Sequence, residues 1–423
     1  MYKKILLWIF LFGGFCIQSF GQIQNIDSLR KSFSAELNNR FVYKDSDPSK
    51  PIDPKIDQEL LDSRLKKIDQ KSVLSLRYNS TVHQYVERNL RMGEHYGKVL
   101  GLAEFYFPLF EEIFAKYGVP KELRYLAVVE SNLNPVAGSK AGARGLWQFM
   151  YATGSMYGLK STSYVEDRYD PIKSTEAAAK YLKSLYNQSG EWDLALASYN
   201  CGYGNVLKAQ RSSGKKSYWD IRPWLPKETQ GYVPGFIAAN YLFEYQAQHN
   251  IPVYHPKYKY SQTGIHYVKN QVSFTQLSRG LGISVDDLTF LNPQYRVGII
   301  PGGGIYYVRL PLEALKKFKA NEKSIYQAAA STPKPASSTP GAPEVAKGFH
   351  RVAAGETLYS IAQKYGLTIE EIKTLNKLST GNLLLNQVLR VEKPATQPQE
   401  ILDKEEQKRK MKEEFYRQLE ENS

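Results

Sequence analysis

Cysteine is almost missing from this chain: among 423 residues only Cys16 and Cys201 carry a thiol. Cys16 sits in an apolar run near the start, so once a leader containing it is removed no internal disulfide can form, and cross-linking is excluded as a source of stability. Cys201, directly after Asn200, has no nearby His and Asn/Asp set of the kind a thiol nucleophile needs, and reads as a small packing residue. Histidine is scarce as well, six in all. None shows ligand spacing, and His249 and His255 flank a Pro-containing loop, so neither a metal nor another cofactor is expected. Outside residues 5–17 no apolar run approaches the roughly 20 residues of a membrane-spanning helix. Acidic side chains fall short of basic ones, 42 against 56, a net charge of +14 that becomes +12 when Lys3 and Lys4 leave with a leader (14 − 2).

What stands at the N-terminus is the leader itself. Met1-Tyr2-Lys3-Lys4 supplies the charged start, residues 5–17 a short apolar core, and Ser19-Phe20-Gly21 small residues at cleavage positions, which predicts maturation near Gln22. A lipid-modified Cys16 would need Gly, Ala or Ser before it, whereas Phe15 stands there. The chain is therefore expected to be exported to the periplasm or cell envelope, with peripheral association, including at an outer membrane, left open along with oligomeric state. Export excludes nucleic acid as the partner of the basic surface. Carboxylate-bearing wall polymers suit it instead.

One carboxyl is conspicuous. Leu126-Ala127-Val128-Val129-Glu130-Ser131-Asn132-Leu133-Asn134-Pro135 is nearly uncharged, and Leu123, Leu126, Ala127 and Glu130 fall at i, i+3, i+4 and i+7, which places Glu130 on the buried stripe of a helix. Pro120 suits the first turn and Pro135 turns Asn134 out of helix, so Glu130 lies in or near the last turn. Burial and the negative end of the helix dipole both push its pKa upward. A carboxyl held protonated near neutrality is what glycoside cleavage requires of a general acid, the acid of lysozyme having a pKa of about 6. The competing reading is a Glu paired with Arg124 or Arg144.

Downstream come Gly145-Leu146-Trp147-Gln148-Phe149-Met150, then Ala197-Ser198-Tyr199-Asn200, then Glu228-Thr229-Gln230-Gly231-Tyr232-Val233. With Glu130-Ser131 these four ordered blocks resemble the signature of the goose-lysozyme-like lytic transglycosylases, and residues 73–248 are most similar to the membrane-bound lytic murein transglycosylase D branch. Tyr151 departs from the pattern, which has Pro there. The second-to-last region, residues 348–392, carries Gly355-Glu356-Thr357-Leu358 and Leu375-Asn376 in a strand, helix, helix, strand pattern and looks like a LysM module. Residues 264–312 keep that skeleton but have Asn270-Gln271-Val272-Ser273 in place of Gly-Asp-Thr, a degenerate copy.

The predicted organisation is a signal peptide at 1–21, an N-terminal extension at 22–72, a helical domain at 73–250, the degenerate module at 264–312, a linker at 327–347, the LysM module at 348–392 and a charged tail at 393–423. Helical periodicity marks 82–96, 101–117, 120–133, 171–187, 192–199 and 228–245, with Asp170-Pro171 a capped helix start. The linker's Ala/Ser/Thr/Pro/Gly composition has no core to bury and spans on the order of 60 Å when extended. The fold class is mainly α: a lysozyme-like helical domain followed by small βααβ LysM modules.

The resemblance implies that Glu130 donates a proton to the glycosidic oxygen of peptidoglycan strands. The same group then takes one from the substrate's 6-hydroxyl, closing a 1,6-anhydro-muramoyl end without water. It further implies substrate contacts from Ser131, Gln148, Met150, Tyr199, Asn200 and Tyr232, support from Glu228, and glycan contacts from Gly355, Thr357, Leu358 and Asn376 of the LysM module. Trp147 reads better as core than as a sugar platform. Asp167, Asp170, Asp193 and Glu228, the candidates for a second carboxyl, have capping or pairing explanations. Two alternatives stand beside this: a hydrolytic muramidase, marked by a second carboxyl facing Glu130, and a non-catalytic wall-binding scaffold.

Overall fold

A computed structural model describes residues 41–45, 51–330, 348–352, 356, 358–378, 383 and 387–392. The expected leader, Cys16, most of the expected linker, Gly355, Thr357 and the expected charged tail lie outside the described residues. The chain divides into two compact units, 1–335 and 336–423, each taken by itself below.

The first unit is built around one apolar helix, Glu94–Tyr117, whose Leu102, Tyr106, Phe110 and Phe114 are buried on successive turns. Gly97 on this helix lets another segment come close, since a Cβ there would stand 1.8 Å from the carbonyl oxygen of Pro252. That contact seats the strand Val253–Pro256, which pairs antiparallel with Phe41–Asp45. The helix expected over 82–96 is in fact two, Ser80–Arg91 and the start of Glu94–Tyr117, because Gly93 adopts φ +53 between them. Periodicity survives the break, so the sequence pattern alone reads through it.

The stretch expected as a helix over 120–133 is also divided. Lys121–Arg124 is a 3-10 turn, Tyr125–Ser131 is α-helical, and Asn132 ends it in the left-handed conformation at φ 52. Asp170 caps the helix Pro171–Ser189 as expected, accepting from the backbone N–H groups of Ile172 and Lys173 at 2.9 and 3.0 Å. Trp192–Cys201 and Lys227–Glu244 follow the predicted segments closely. Tyr203–Ser213 and Tyr218–Ile221 are helices the pattern did not indicate. Gly202, at φ 82, separates the first of them from Trp192–Cys201.

Residues 263–330 complete the unit. Thr263–Tyr267 pairs antiparallel with Tyr307–Pro311, and Val272–Ser273 with Ile299–Ile300, around the helices Phe274–Leu281 and Val285–Leu291. Ser273, in the segment that departs from Gly-Asp-Thr, opens the first helix with a capping box shared with Gln276. A further helix, Leu312–Ala330, lies against this layer, and Ile325 packs where a Cβ on Gly280 would meet it at 3.0 Å. The module therefore runs past residue 312, where its pattern was expected to stop.

The second unit holds the strands Phe349–Arg351 and Val388–Arg390, paired antiparallel, and the helices Leu358–Tyr365 and Ile369–Leu375. Its core is Val352, Leu358, Ile361, Ala362, Ile372 and Leu389. Leu358, expected to touch glycan, is 1% exposed and forms part of that core, because it is the first apolar position of an inward helix stripe. Asn376 is occupied too: its Nδ2 donates to the carbonyls of Ile372 and Arg390 at 2.8 and 2.9 Å, and its Oδ1 accepts from the Arg390 N–H at 2.6 Å. Asn292 does the same in the first module, bonding Leu288 and Arg309 at 2.9, 2.9 and 2.7 Å. Among the described residues no helix is long and apolar enough to cross a membrane.

Candidate active site

Glu130 is the penultimate residue of Tyr125–Ser131, and the helix ends there because Asn132 and Leu133 both take positive φ, 52 and 59. Tyr125, Leu126, Ala127 and Val128 are buried, which drives the short helix into the core and carries Glu130 with it. The residue keeps partial access to solvent. Its carboxyl is nevertheless enclosed by protein, and burial raises its pKa from an ordinary 4.5 to about 8. A hydrogen bond from the Tyr232 hydroxyl to Glu130 Oε1 opposes that rise, and the nearby charge of Glu228 adds to it. The carboxyl is thus protonated at neutral pH. Its one hydroxyl donor favours the anion whenever the proton has gone.

Tyr232 comes from the second turn of Lys227–Glu244, a helix that is buried along most of its length and also contributes Glu228 from its first turn. Burial, then the neighbouring Glu130, lift the Tyr232 phenol well above its ordinary pKa, so it stays a donor. Glu228 Oε1 accepts from Asn200 Nδ2 at 3.1 Å, and Asn200 Oδ1 accepts from the Thr229 hydroxyl at 2.7 Å. The two helices Trp192–Cys201 and Lys227–Glu244 are fastened side by side through this pair. Tyr199, on the former helix, donates to the Trp147 carbonyl at 2.8 Å; its pKa is raised by burial and then by Glu130. Glu130, Tyr199, Asn200, Glu228 and Tyr232 are therefore brought together by one electrostatic and hydrogen-bonded set.

The segment 142–150 forms a wall beside them. Arg144 bridges to both Gly138 and Phe149. Gln148 sits at φ 47, and its Nε2 donates to the carbonyls of Gly145 at 2.9 Å and Ala137 at 3.4 Å, so its amide braces the turn. Ser131 ties this turn to the helix of Glu130, its hydroxyl lying 2.8 Å from the Leu146 carbonyl and 3.0 Å from that of Ala127. Met150 is 40% exposed at the start of the helix Tyr151–Met156. Tyr151 takes the first helical position, where a proline would also fit, so the departure at this residue leaves the turn intact. Trp147 is fully buried against Phe110 and Phe114, with its indole N–H on the Thr175 hydroxyl at 2.9 Å: it is core.

Of the other acidic candidates, Asp167 meets Lys173 at 2.7 Å and Asp170 caps its helix, while burial raises the carboxyl of Asp193 to about 6. Only Glu228 is felt by Glu130. Neither expected partner of Glu130 holds it, since Arg124 pairs with Glu111 and stacks over Phe107 and Tyr125. Thr229, which orients Asn200, was not singled out, although it stands inside the late Glu-Thr block.

Residues 108–222 match the family model of the transglycosylase SLT domain, residues 262–327 that of the lytic transglycosylase MltD LysM-like domain, and residues 350–392 that of the LysM domain. The chain carries a transglycosylase SLT domain followed by two LysM-type domains. It is homologous to the membrane-bound lytic murein transglycosylase D of Escherichia coli strain K12, at 29% identity over 318 residues, 74% of this chain and 69% of the relative. A membrane-bound lytic murein transglycosylase F of Yersinia pestis strain Pestoides F is 34% identical over 160 residues, 32% of either chain. The solved 70 kDa soluble lytic transglycosylase of Escherichia coli is 26% identical over 32% of this chain and 24% of its own, with a TM-score of 0.28. Glu130, Gln148, Tyr199 and Asn200 lie inside the residues matched by the SLT domain, whereas Glu228 and Tyr232 lie beyond them.

Proposed function

We propose that the chain is exported and cleaves the MurNAc-β-1,4-GlcNAc bond of peptidoglycan without water, leaving 1,6-anhydro-MurNAc ends. The observation that carries this reading is an enclosed carboxyl without a cationic partner, Glu130, with its pKa pushed to about 8 and a phenol hydroxyl on one oxygen. At neutral pH Glu130 donates its proton to the leaving oxygen as the bond to the muramoyl carbon breaks. The carboxylate left behind keeps the Tyr232 hydrogen bond, then accepts the proton of the 6-hydroxyl as that oxygen closes on the same carbon. Proton and charge return to their starting point. Tyr199 and Asn200 stand beside the acid to meet the N-acetyl group and the leaving oxygen, while Ser131 and Gln148 hold the wall under Met150. The basic surface and the LysM domains suit a murein strand, and tethering by residues 348–392 raises the local concentration of substrate.

Glu228 gives a hydrolytic muramidase its only footing, as the second carboxyl in the field of Glu130. Its oxygen is held by Asn200, which favours the supporting role. Mass analysis of muropeptides released from murein sacculi by the purified mature protein separates the two. Anhydro ends are expected; reducing-end muramic acid without anhydro product overturns the transglycosylase reading.

A further inference from the structure

The LysM-like module of residues 262–327 does not hang from the catalytic domain by a tether. The Glu166 N–H donates to the Gln294 carbonyl at 3.0 Å and the Arg296 N–H to the Tyr164 carbonyl at 2.9 Å, and Val165 bridges antiparallel to Tyr295. The Tyr307 hydroxyl reaches Asp170 Oδ1 at 2.7 Å, and the rings of Phe105 and Phe290 lie 5.3 Å apart.

At the centre of this junction a carboxylate serves two guanidinium groups. Glu166, with 0% exposure, accepts from Arg168 Nε at 2.9 Å and Nη2 at 2.8 Å, and from Arg296 Nη2 at 2.7 Å. The Ser161 hydroxyl adds a bond at 3.0 Å. Arg168, itself 2% exposed, turns its Nη1 to the carbonyls of Gly142 at 3.0 Å and Phe149 at 3.3 Å. Those two carbonyls bracket the wall that Ser131 and Tyr199 grip from the other side through Leu146 and Trp147. The backbone of Arg168 holds the same turn, because a Cβ on Gly145 would stand 1.8 Å from the Arg168 carbonyl oxygen.

We propose that Arg296, a residue of the LysM-like module, is a positioning residue for the cleft: through Glu166 and Arg168 it fixes the 142–149 turn against Tyr199. The module is on this account a working part of the transglycosylase domain. A guanidinium fork fixes a carboxylate in plane and distance as a single point charge cannot. With Arg296 gone, Glu166 is free to swing toward the vacated side and draw Arg168 off the two carbonyls. The inference rests on the reading of Glu130 as the acid.

The test uses the full mature chain with Arg296→Gln, Arg296→Lys, Glu130→Gln, and Leu277→Ala as a control in the module's own core. Turnover and KM are measured on soluble uncross-linked glycan strands, and Tm for each variant. Arg296→Gln is expected to lose roughly tenfold to a hundredfold in kcat with KM nearly unchanged, the scale of a misplacement of about 1 Å. Arg296→Lys recovers part of the loss, and Leu277→Ala lowers Tm while keeping kcat at temperatures well below it. Wild-type kcat in Arg296→Gln, or a loss that Leu277→Ala matches at equal distance from its own Tm, overturns the proposal. An active Glu130→Gln sinks the site reading instead, so the two failures are distinguishable.

Discussion

Two glutamates, Glu130 and Glu166, are enclosed among the described residues of the first unit, and they are driven in opposite directions. Glu130 is raised to about 8, burial being the largest cause; Glu166 is held below its ordinary range although burial acts on it in the same sense. The difference lies in the donors. Glu130 has one neutral hydroxyl and a second carboxylate in its field, whereas Glu166 has Arg168 and Arg296. Removal from water costs both anions their hydration, and only a cationic donor set offsets the loss. The same side chain thereby keeps its proton at neutral pH in one place and is an anion at the junction a short way along the chain.

The largest effect that could break this contrast is on turnover. Glu130→Gln keeps the shape and removes the proton, so release of soluble muropeptides should fall by about 10²–10⁴-fold, the usual worth of a positioned general acid. Near-normal release would leave Glu130 as merely another buried carboxyl. Next comes stability at the junction. Glu166→Leu leaves two guanidinium groups without their anion and is expected to cost about 3–5 kcal/mol, read from urea unfolding at pH 7. An unchanged midpoint would mean that the ion pairs do not hold the module in place.

A third measurement sharpens the sign. For Glu130 the folded-state pKa, about 8, lies above the ordinary 4.5, so the folded chain retains a proton that the unfolded chain releases. Stability therefore declines as pH rises between those values, and Glu130→Gln should remove that decline, with its advantage over wild type growing up to about pH 8 and then holding level. Glu166 acts the other way: its lowered pKa contributes stability at neutral pH that disappears as acid protonates the folded state. A constant difference between Glu130→Gln and wild type across this range would contradict the enclosed, protonated carboxyl. The smallest expected effect is on the alkaline limb of the rate, which falls as Glu130 ionises. Tyr232→Phe removes the bond that favours the anion and moves the limb upward; Glu228→Gln removes the neighbouring charge and moves it downward. Shifts of the same sign in a pH–rate profile would show that the two side chains do not act through Glu130.

Much of the cleft was legible from residue order. Glu130 announced itself as a carboxyl in an apolar stripe, Asp170-Pro171 as a helix start, and the Glu-Thr block as a late contributor. The first two are local signals, carried within one or two turns of chain, and the last came from the resemblance. The junction was not legible, because nothing near Glu166 or Arg296 predicts that residues 130 positions apart share an oxygen. The break at Gly93 was missed because the apolar period continues across it, and Tyr203–Ser213 because it buries only Val206 and Ala209 and so carries little apolar stripe. Leu358 was misplaced for a simpler reason: a motif says which residues recur, while only packing says which of them face inward.

The paired asparagines carry a last consequence. Asn292 and Asn376 each staple the closing strand of a module to the end of its second helix using nothing but main-chain partners. A fastening of that kind is indifferent to the identity of its neighbours, so the remaining loops can be rewritten while the small fold persists.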